Sequence, residues 1–239
     1  MRRCLVAAFA VALLAPGSAS AMSVYAASSL RDVFPRIDGR PTFNFAGSNQ
    51  LQLQVERGAP ADVFASASPA EAQALYRQRL CTRPITFATN RLVIIVPEAN
   101  PAKVRSVTDL RHGGFRVAIG TRGVPIGAYT RKVLRRLGLL DDLKRNRVSQ
   151  EPDVGSITAK VALGSADLGF VYFTDARIAR DRTDPIALPR RGQPRVDYQT
   201  CVVRRKGGQG EPAKAFIRRV LSDRGRRLLR AAGFGVPRR

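Results

Sequence analysis

The sequence has no tryptophan, a single histidine and three cysteines among its 239 residues. Metal-binding side chains are therefore scarce, and neither His112 nor Cys81 and Cys201 have the spacing that a zinc site requires. The same scarcity weighs against a Ser-His-Asp triad, because its histidine would come from a glycine-rich turn far in sequence from the serine-bearing motifs. We therefore expect no resident metal, no cofactor and no catalytic residues.

Long apolar runs are also missing, apart from one near the N-terminus. Residues 5–14 are apolar, follow two arginines and precede a small-x-small cleavage site at 19–21. The run is too short to span a bilayer and has the length of a signal-peptide core. Residues 1–21 are thus predicted to be a signal peptide cleaved near Ala21, and the mature chain to be periplasmic. Cys4 precedes the apolar run, so it is not the cysteine of a lipoprotein.

Two cysteines, Cys81 and Cys201, remain in the mature chain. An oxidising compartment would allow them to pair. Pairing also requires their Cα atoms to lie within about 7 Å, which the sequence does not show. The sequence therefore leaves the disulfide open.

Acidic residues are few relative to basic ones, 18 against 41, and the formal net charge is +23. Such a charge has two interpretations. It would serve nucleic-acid binding, or it would form a solvated basic surface without a specific partner. Predicted export, the spread of the arginines over the whole chain and the small number of aromatics favour the solvated surface. We expect no nucleic-acid partner, and a surface charge that speeds the encounter with an anion unless salt screens it.

Short apolar strands alternate with helical patterns along nearly the whole mature chain. Residues 92–96 form a continuous apolar run, which is typical of a strand buried on both faces. The alternation predicts an α/β fold with mainly parallel sheets. The stretch 58–67, GAPADVFASA, predicts a helix end, a turn and a buried strand, within which Asp62 is expected to accept hydrogen bonds of the turn.

Four turns lead from a strand into a helix, and the first two carry Ser29 and Ser48 at the helix start. Either serine alone would be interpreted as an N-cap of its own helix. Two such serines after consecutive strands, considered together with the turns at 123–127 and 151–156, indicate a shared site and not only two separate helix caps. Helix N-termini present free N–H groups and the positive end of the helix dipole. The four turns therefore predict a place for an anion.

Five motifs occur in a fixed order along the mature chain. They are YAASSL at 25–30, FAGS at 45–48, GAPADVF at 58–64, VPxGxY at 124–129 and VYxTDA at 171–176. Together they resemble the periplasmic molybdate-binding proteins, the receptors of molybdate ABC transporters. The resemblance implies a two-lobed type II periplasmic-binding-protein fold, in which each lobe is a doubly wound, mainly parallel sheet and the ligand lies in the cleft between the lobes.

The resemblance also implies lobe boundaries and ligand residues. With crossovers near 97–99 and 198–200, lobe one would comprise residues 22–97 plus 200–239, and lobe two residues 98–199. The implied oxyanion ligands are two serine hydroxyls, two backbone amides and one tyrosine hydroxyl: Ser29, Ser48, Ile126, Val154 and Tyr172. The family often has alanine where Ile126 stands, and the larger side chain would narrow the pocket.

Such a donor set suits a fully deprotonated tetrahedral oxyanion, which offers only acceptors. Phosphate is disfavoured, because its protonated forms also donate and none of the five positions is acidic. It stays open, since Asp32, Asp153 and Asp175 lie near these positions in sequence.

The sequence thus predicts an exported, monomeric receptor that captures molybdate, or tungstate, by lobe closure. It would deliver the anion to the permease and ATPase subunits of an ABC importer. Three alternatives remain: a receptor for sulfate or another tetrahedral oxyanion, an exported serine hydrolase using Ser29 or Ser48, and a basic surface-binding protein with a vestigial cleft.

Overall fold

The computed structural model describes residues 21–237, and the predicted signal peptide lies outside them except for Ala21. Within this range, no helix has both the length and the apolar character needed to cross a membrane. The strands are β1 (Ser23–Ala27), β2 (Thr42–Ala46), β3 (Val63–Ser66), β4 (Ile85–Asn90), β5 (Leu92–Pro97), β6 (Arg116–Gly120), β7 (Arg147–Glu151), β8 (Leu168–Tyr172), β9 (Thr183–Ala187) and β10 (Val196–Val202). The α-helices are α1 (Phe34–Ile37), α2 (Ser48–Glu56), α3 (Pro69–Arg77), α4 (Pro125–Leu137), α5 (Val154–Ala162), α6 (Phe173–Ile178), α7 (Gly210–Leu221) and α8 (Asp223–Ala231).

The strands form two five-stranded sheets, in the orders β2-β1-β3-β10-β4 and β7-β6-β8-β5-β9. β1 pairs in parallel with β2 and β3, and β6 with β7 and β8. β10 in the first sheet and β5 in the second run antiparallel to both of their neighbours. The predicted two-lobed α/β fold is confirmed. Its sheets are mixed, because in each sheet one strand runs against the other four, which makes two pairings parallel and two antiparallel.

The two antiparallel strands are the ones that follow a change of sheet. β4 ends at Asn90 in the first sheet and β5 begins at Leu92 in the second, and the chain returns between β9 and β10. Residues 92–97 and 196–199 therefore pair in the opposite sheet from the lobe that the sequence analysis gave them. At the crossover expected near 97–99, the N–H of Asn100 instead donates to the carbonyl of Pro97 at 2.7 Å, which closes a turn beside the second sheet.

The central strands of the second sheet are buried on both faces, as their apolar runs predict. All five residues of β8 are buried, and so are the first five of β5. Helix α5 packs closely on β8 at Gly169. A Cβ atom at this position would lie only 2.8 Å from Ile157 and Val161, so the missing side chain allows the close approach. This close packing fixes where the N-terminus of α5 points.

A second, smaller core lies beneath α2 and α3 of the first sheet, around Leu51, Phe64 and Leu75. Cys81 and Cys201 form a disulfide within it, with their Cα atoms 6.0 Å apart. The disulfide joins β10 to the segment before β4 and answers the question that the sequence left open.

Asp62 joins distant parts of the first lobe. Its carboxylate accepts the N–H groups of Ser23, at the start of β1, and of Gln209, before α7, each at 2.9 Å. It also pairs with Arg205 at 2.8 Å and is 1% exposed. Asp62 is therefore a structural acceptor, as the sequence analysis expected, and its bonds reach well beyond its own turn.

Candidate functional site

The four strand-to-helix turns meet at one small cavity between the two lobes. The turns after β1 and β2 approach it from the first lobe, and those after β6 and β7 from the second. The five residues predicted as ligands are all in its lining, and their role as ligands stays a prediction. The lining comprises Ala27, Ser28, Ser29, Ala46, Gly47, Ser48, Ala67, Val124, Pro125, Ile126, Asp153, Val154 and Tyr172.

Ser29 lies in the 3-10 helix Ser28–Leu30 that follows β1, and it is 3% exposed. No side-chain bond caps this helix. The Oγ atom of Ser29 instead lies 2.9 Å from the Oη atom of Tyr198, on β10. The capping interpretation of Ser29 is therefore wrong, because the short turn buries the hydroxyl against a strand of its own sheet.

Ser48 is the first residue of α2, and the residue at the N-cap is Gly47. The Oγ atom of Ser48 accepts the backbone N–H of Ala67, just after β3, at 3.1 Å. The predicted N-cap role of Ser48 is thus also wrong, since its oxygen bonds a neighbouring turn and not its own helix. With the oxygen engaged as an acceptor, the hydroxyl hydrogen is available to an acceptor in the cavity.

Ile126 and Val154 supply backbone amides. Val154 is the first residue of α5, and Ile126 is the second residue of α4, after Pro125. Amides in a first helical turn have no acceptor within the helix, and they lie at the positive end of its dipole. Both amides are therefore suited to bind an anion at the cavity wall.

Two glycines allow α4 to begin so close to β6. A Cβ atom on Gly127 would lie 1.9 Å from the carbonyl oxygen of Thr121, so no other residue fits there. A Cβ atom on Gly120 would lie 2.8 Å from Cγ2 of Ile126. The isoleucine side chain, larger than the alanine common in the resembled family, thus has room against Gly120.

Tyr172 ends β8 and is 1% exposed. Its hydroxyl has no hydrogen-bond partner within residues 21–237. Burial raises the pKa of Tyr172 well above that of a free tyrosine, so the hydroxyl keeps its proton. A buried polar group without a partner costs about 1–3 kcal/mol, so a hydroxyl of this kind in a cavity wall is suited to donate to an acceptor that enters the cavity.

Little charge faces the cavity. Asp153 is the one acidic residue of the lining, and its carboxylate caps α5 by accepting the N–H of Ser156 at 3.0 Å. Burial raises the pKa of the nearby Asp175 to about 8, so this carboxyl is mainly neutral at pH 7. Among the described residues, neither arginine nor lysine lines the cavity, and no cluster of His, Cys, Asp or Glu has the form of a metal site. The donors in the cavity wall are therefore neutral, and their convergence can offset the cost of removing an anion from water.

The backbones of the two lobes touch beside the cavity. A Cβ atom on Gly47, in the first lobe, would lie 2.5 Å from the carbonyl oxygen of Pro152 and 3.1 Å from Cγ2 of Val124, both in the second. The structure therefore has its lobes closed, with glycine at the point of closest approach.

Two polar residues next to the cavity, Tyr198 on β10 and Asn90 at the end of β4, lie outside the sequence motifs and were not predicted. The Nδ2 atom of Asn90 donates to Oγ1 of Thr174 at 3.0 Å and to Oη of Tyr198 at 3.4 Å. These contacts span 84 and 108 residues of sequence, so no local pattern marks them.

Comparisons with known proteins agree with this architecture. A family model described as bacterial extracellular solute-binding protein matches residues 22–235. A molybdate-binding protein of Mycobacterium tuberculosis is 35% identical over 229 residues, which are 92% of this chain and 86% of that protein. A molybdate-binding protein of Escherichia coli is 30% identical over 249 residues, with 95% and 94% covered.

Among solved structures, the periplasmic molybdate-binding protein of Azotobacter vinelandii superimposes with a TM-score of 0.79. At 24% identity it covers 91% of this chain and is itself covered completely, which shows a shared fold. The family model spans almost all of the described residues, and two relatives are at least 30% identical over nearly the whole chain. The chain therefore belongs to the bacterial extracellular solute-binding proteins.

Proposed function

We propose that this protein is an exported receptor that captures molybdate, and tungstate as a second ligand, by closing its lobes on the anion. The side-chain donors are Ser29, Ser48 and Tyr172, and the backbone donors are the amides of Ile126 and Val154. The unpaired, buried hydroxyl of Tyr172 carries the proposal, because it is a donor that lacks only its acceptor. The relatives named as molybdate-binding proteins support this choice of anion.

The transport role and the location belong to the same proposal. The signal peptide is cleaved near Ala21, the mature chain works in the periplasm as a monomer, and it delivers its ligand to the permease and ATPase of an ABC importer. Each lobe is built on one sheet, so we now place the two crossovers at Arg91 and within residues 188–195.

A serine hydrolase is disfavoured by the geometry. His112 is exposed at the end of the 3-10 helix Val107–His112 and is not in the cavity lining. Ser29 and Ser48 are bonded to Tyr198 and to the amide of Ala67, and no histidine among the described residues is positioned to activate either. Sulfate shares the acceptor-only chemistry of molybdate, so it remains the alternative that an experiment must separate.

Molybdate is expected to raise the melting temperature of the mature protein. A ligand that binds only the folded state adds about 2.7 kcal/mol to the free energy of unfolding at 100 times its dissociation constant. Thermal unfolding and calorimetry with molybdate, tungstate, sulfate and phosphate provide the measurement. Tungstate should behave like molybdate, and sulfate at equal concentration should produce a much smaller shift. Equal shifts with molybdate and sulfate would contradict the assignment.

Gly47→Ala is expected to weaken molybdate binding about tenfold, with little effect on the unliganded protein. Gly47 has φ −62° and ψ 135°, which alanine adopts without strain. Within its own lobe the methyl group would meet Oδ1 of Asn49 at 3.0 Å, a contact that a small shift of this side chain relieves. The methyl group would instead meet Pro152 across the cleft and hold the lobes apart.

Gly39→Ala is the matched control for this closure test. Gly39 lies in the same lobe, away from the cavity lining, and a Cβ atom there would make an ordinary 3.4 Å contact. Calorimetry should give unchanged affinity for Gly39→Ala. An unchanged affinity for Gly47→Ala would show that closure does not depend on this contact.

A further inference from the structure

Ser29 does not face the cavity alone, because its hydroxyl belongs to a chain of hydrogen bonds. Its Oγ atom lies 2.9 Å from Oη of Tyr198, and Oη of Tyr198 lies 3.4 Å from Nδ2 of Asn90. Tyr198 is completely buried and Ser29 is 3% exposed, so water does not compete for these bonds. The direction of each bond decides whether Ser29 offers the cavity a hydrogen or a lone pair.

The orientation of the Asn90 amide fixes one end of this chain. Its Oδ1 atom accepts the backbone N–H of Arg91 at 2.9 Å. The opposite side of the amide, Nδ2, therefore faces Tyr198 and also Thr174, at 3.0 Å from Oγ1. An amide nitrogen donates and does not accept, so Oη of Tyr198 must be the acceptor in its bond with Asn90.

The remaining directions follow from the proton count. Burial raises the pKa of Tyr198 well above its usual value, so the phenol keeps its single proton. With Asn90 donating to Oη, this proton points at Oγ of Ser29, the other hydrogen-bond partner of that hydroxyl within residues 21–237. Ser29 then accepts from Tyr198, and its own proton is left to point into the cavity.

We propose that Asn90 and Tyr198 are positioning residues that hold Ser29 as an obligatory donor and thereby make the site reject oxyanions that carry a proton. This inference rests on the proposed function, because it concerns the same cavity and the same anion. An oxyanion without hydrogen accepts from Ser29. Hydrogen phosphate brings a donor that then finds no acceptor at this wall, and an unpaired buried donor is costly.

The test measures the dissociation constants of molybdate and inorganic phosphate for the mature protein, at a pH where phosphate is mainly the dianion. Asn90→Asp replaces the donor with an acceptor, so the phenol of Tyr198 would turn toward the new carboxylate and Ser29 would donate to Tyr198. Ser29 would then offer the cavity a lone pair. We expect molybdate affinity to fall at least tenfold, and the preference for molybdate over phosphate to fall about tenfold.

The ratio of the two constants separates this effect from simple charge repulsion. A new carboxylate repels both dianions, so repulsion alone weakens both and leaves their ratio unchanged. Tyr198→Phe adds no charge and also frees the lone pair of Ser29, so it should lower the same ratio severalfold. It serves as the second variant if Asn90→Asp does not fold.

Thr174→Val is the matched control. It removes the other acceptor of Asn90 but leaves the bonds to Tyr198 and Ser29 in place. The ratio should not change in this variant. A ratio that stays constant in both Asn90→Asp and Tyr198→Phe would overturn the inference. Failure of the wild-type protein to bind molybdate would be a different result, which refutes the proposed function itself.

Discussion

Val154→Pro is expected to weaken molybdate binding about a hundredfold without unfolding the protein. Val154 is the first residue of α5, the helix position that proline tolerates best. The preceding Asp153 has φ −157° and ψ 172°, the extended backbone that a following proline favours. The cap bond from the N–H of Ser156 to Asp153 is untouched. Proline therefore removes one thing at this position, the backbone N–H.

The size of the effect follows from the charge of the ligand. A hydrogen bond to a charged group contributes about 1.5–3 kcal/mol, and each 1.4 kcal/mol is about tenfold in affinity. The upper end applies here, because the lost donor lies at the positive end of a helix. Replacing Ile126 is less clean, since proline there would follow Pro125, and a residue before proline avoids the helical region.

Val154→Ala is the matched control for the proline variant. Alanine shortens the same buried side chain but keeps the N–H, so affinity should stay within a few-fold of wild type. Calorimetry measures both variants, and circular dichroism checks that α5 remains folded. If proline spares binding while alanine abolishes it, the side chain and not the amide contacts the anion.

The fold was predictable where the signal is local. The buried runs of β5 and β8 and the glycine- and proline-rich turns that open α4 and α5 each lie within a few residues of sequence. β4 was not identified, because its burial does not alternate and the strand with which it pairs, β10, lies more than a hundred residues away. The crossovers depend on which sheet a strand joins, which is decided by pairing and not by the prolines nearby.

The candidate site was likewise predictable where its residues stand in local motifs, and not where its contacts join distant segments. Four of the five predicted ligand residues stand in the quoted motifs, and Val154 stands in the turn at 151–156. Local patterns were therefore sufficient to predict residues that share one cavity lining, and their role as ligands stays a prediction. The partners of the serine hydroxyls were not predictable. Ser48 bonds the amide of Ala67 and Ser29 bonds Tyr198, and both bonds are made only when separate strands come side by side. Local propensity favoured capping, and tertiary packing overrode it.

Tyr172→Phe is expected to have opposite effects on binding and on the stability of the unliganded protein. The hydroxyl has no partner among the described residues, so its removal relieves a buried unsatisfied group. The melting temperature without ligand should stay equal or rise slightly. Molybdate affinity should fall roughly ten- to a hundredfold, because one hydrogen bond to a charged ligand is lost.

Tyr198→Phe provides the comparison, since the two tyrosines are otherwise alike. Both are buried, and their rings meet edge to face with centroids 5.8 Å apart. They differ in the hydroxyl, which in Tyr198 bonds Ser29 and Asn90. Tyr198→Phe should therefore lower the melting temperature of the unliganded protein, whereas Tyr172→Phe should not. If Tyr172→Phe destabilises the unliganded protein as much as Tyr198→Phe and leaves molybdate affinity unchanged, its hydroxyl has a structural partner and is not a ligand of the anion.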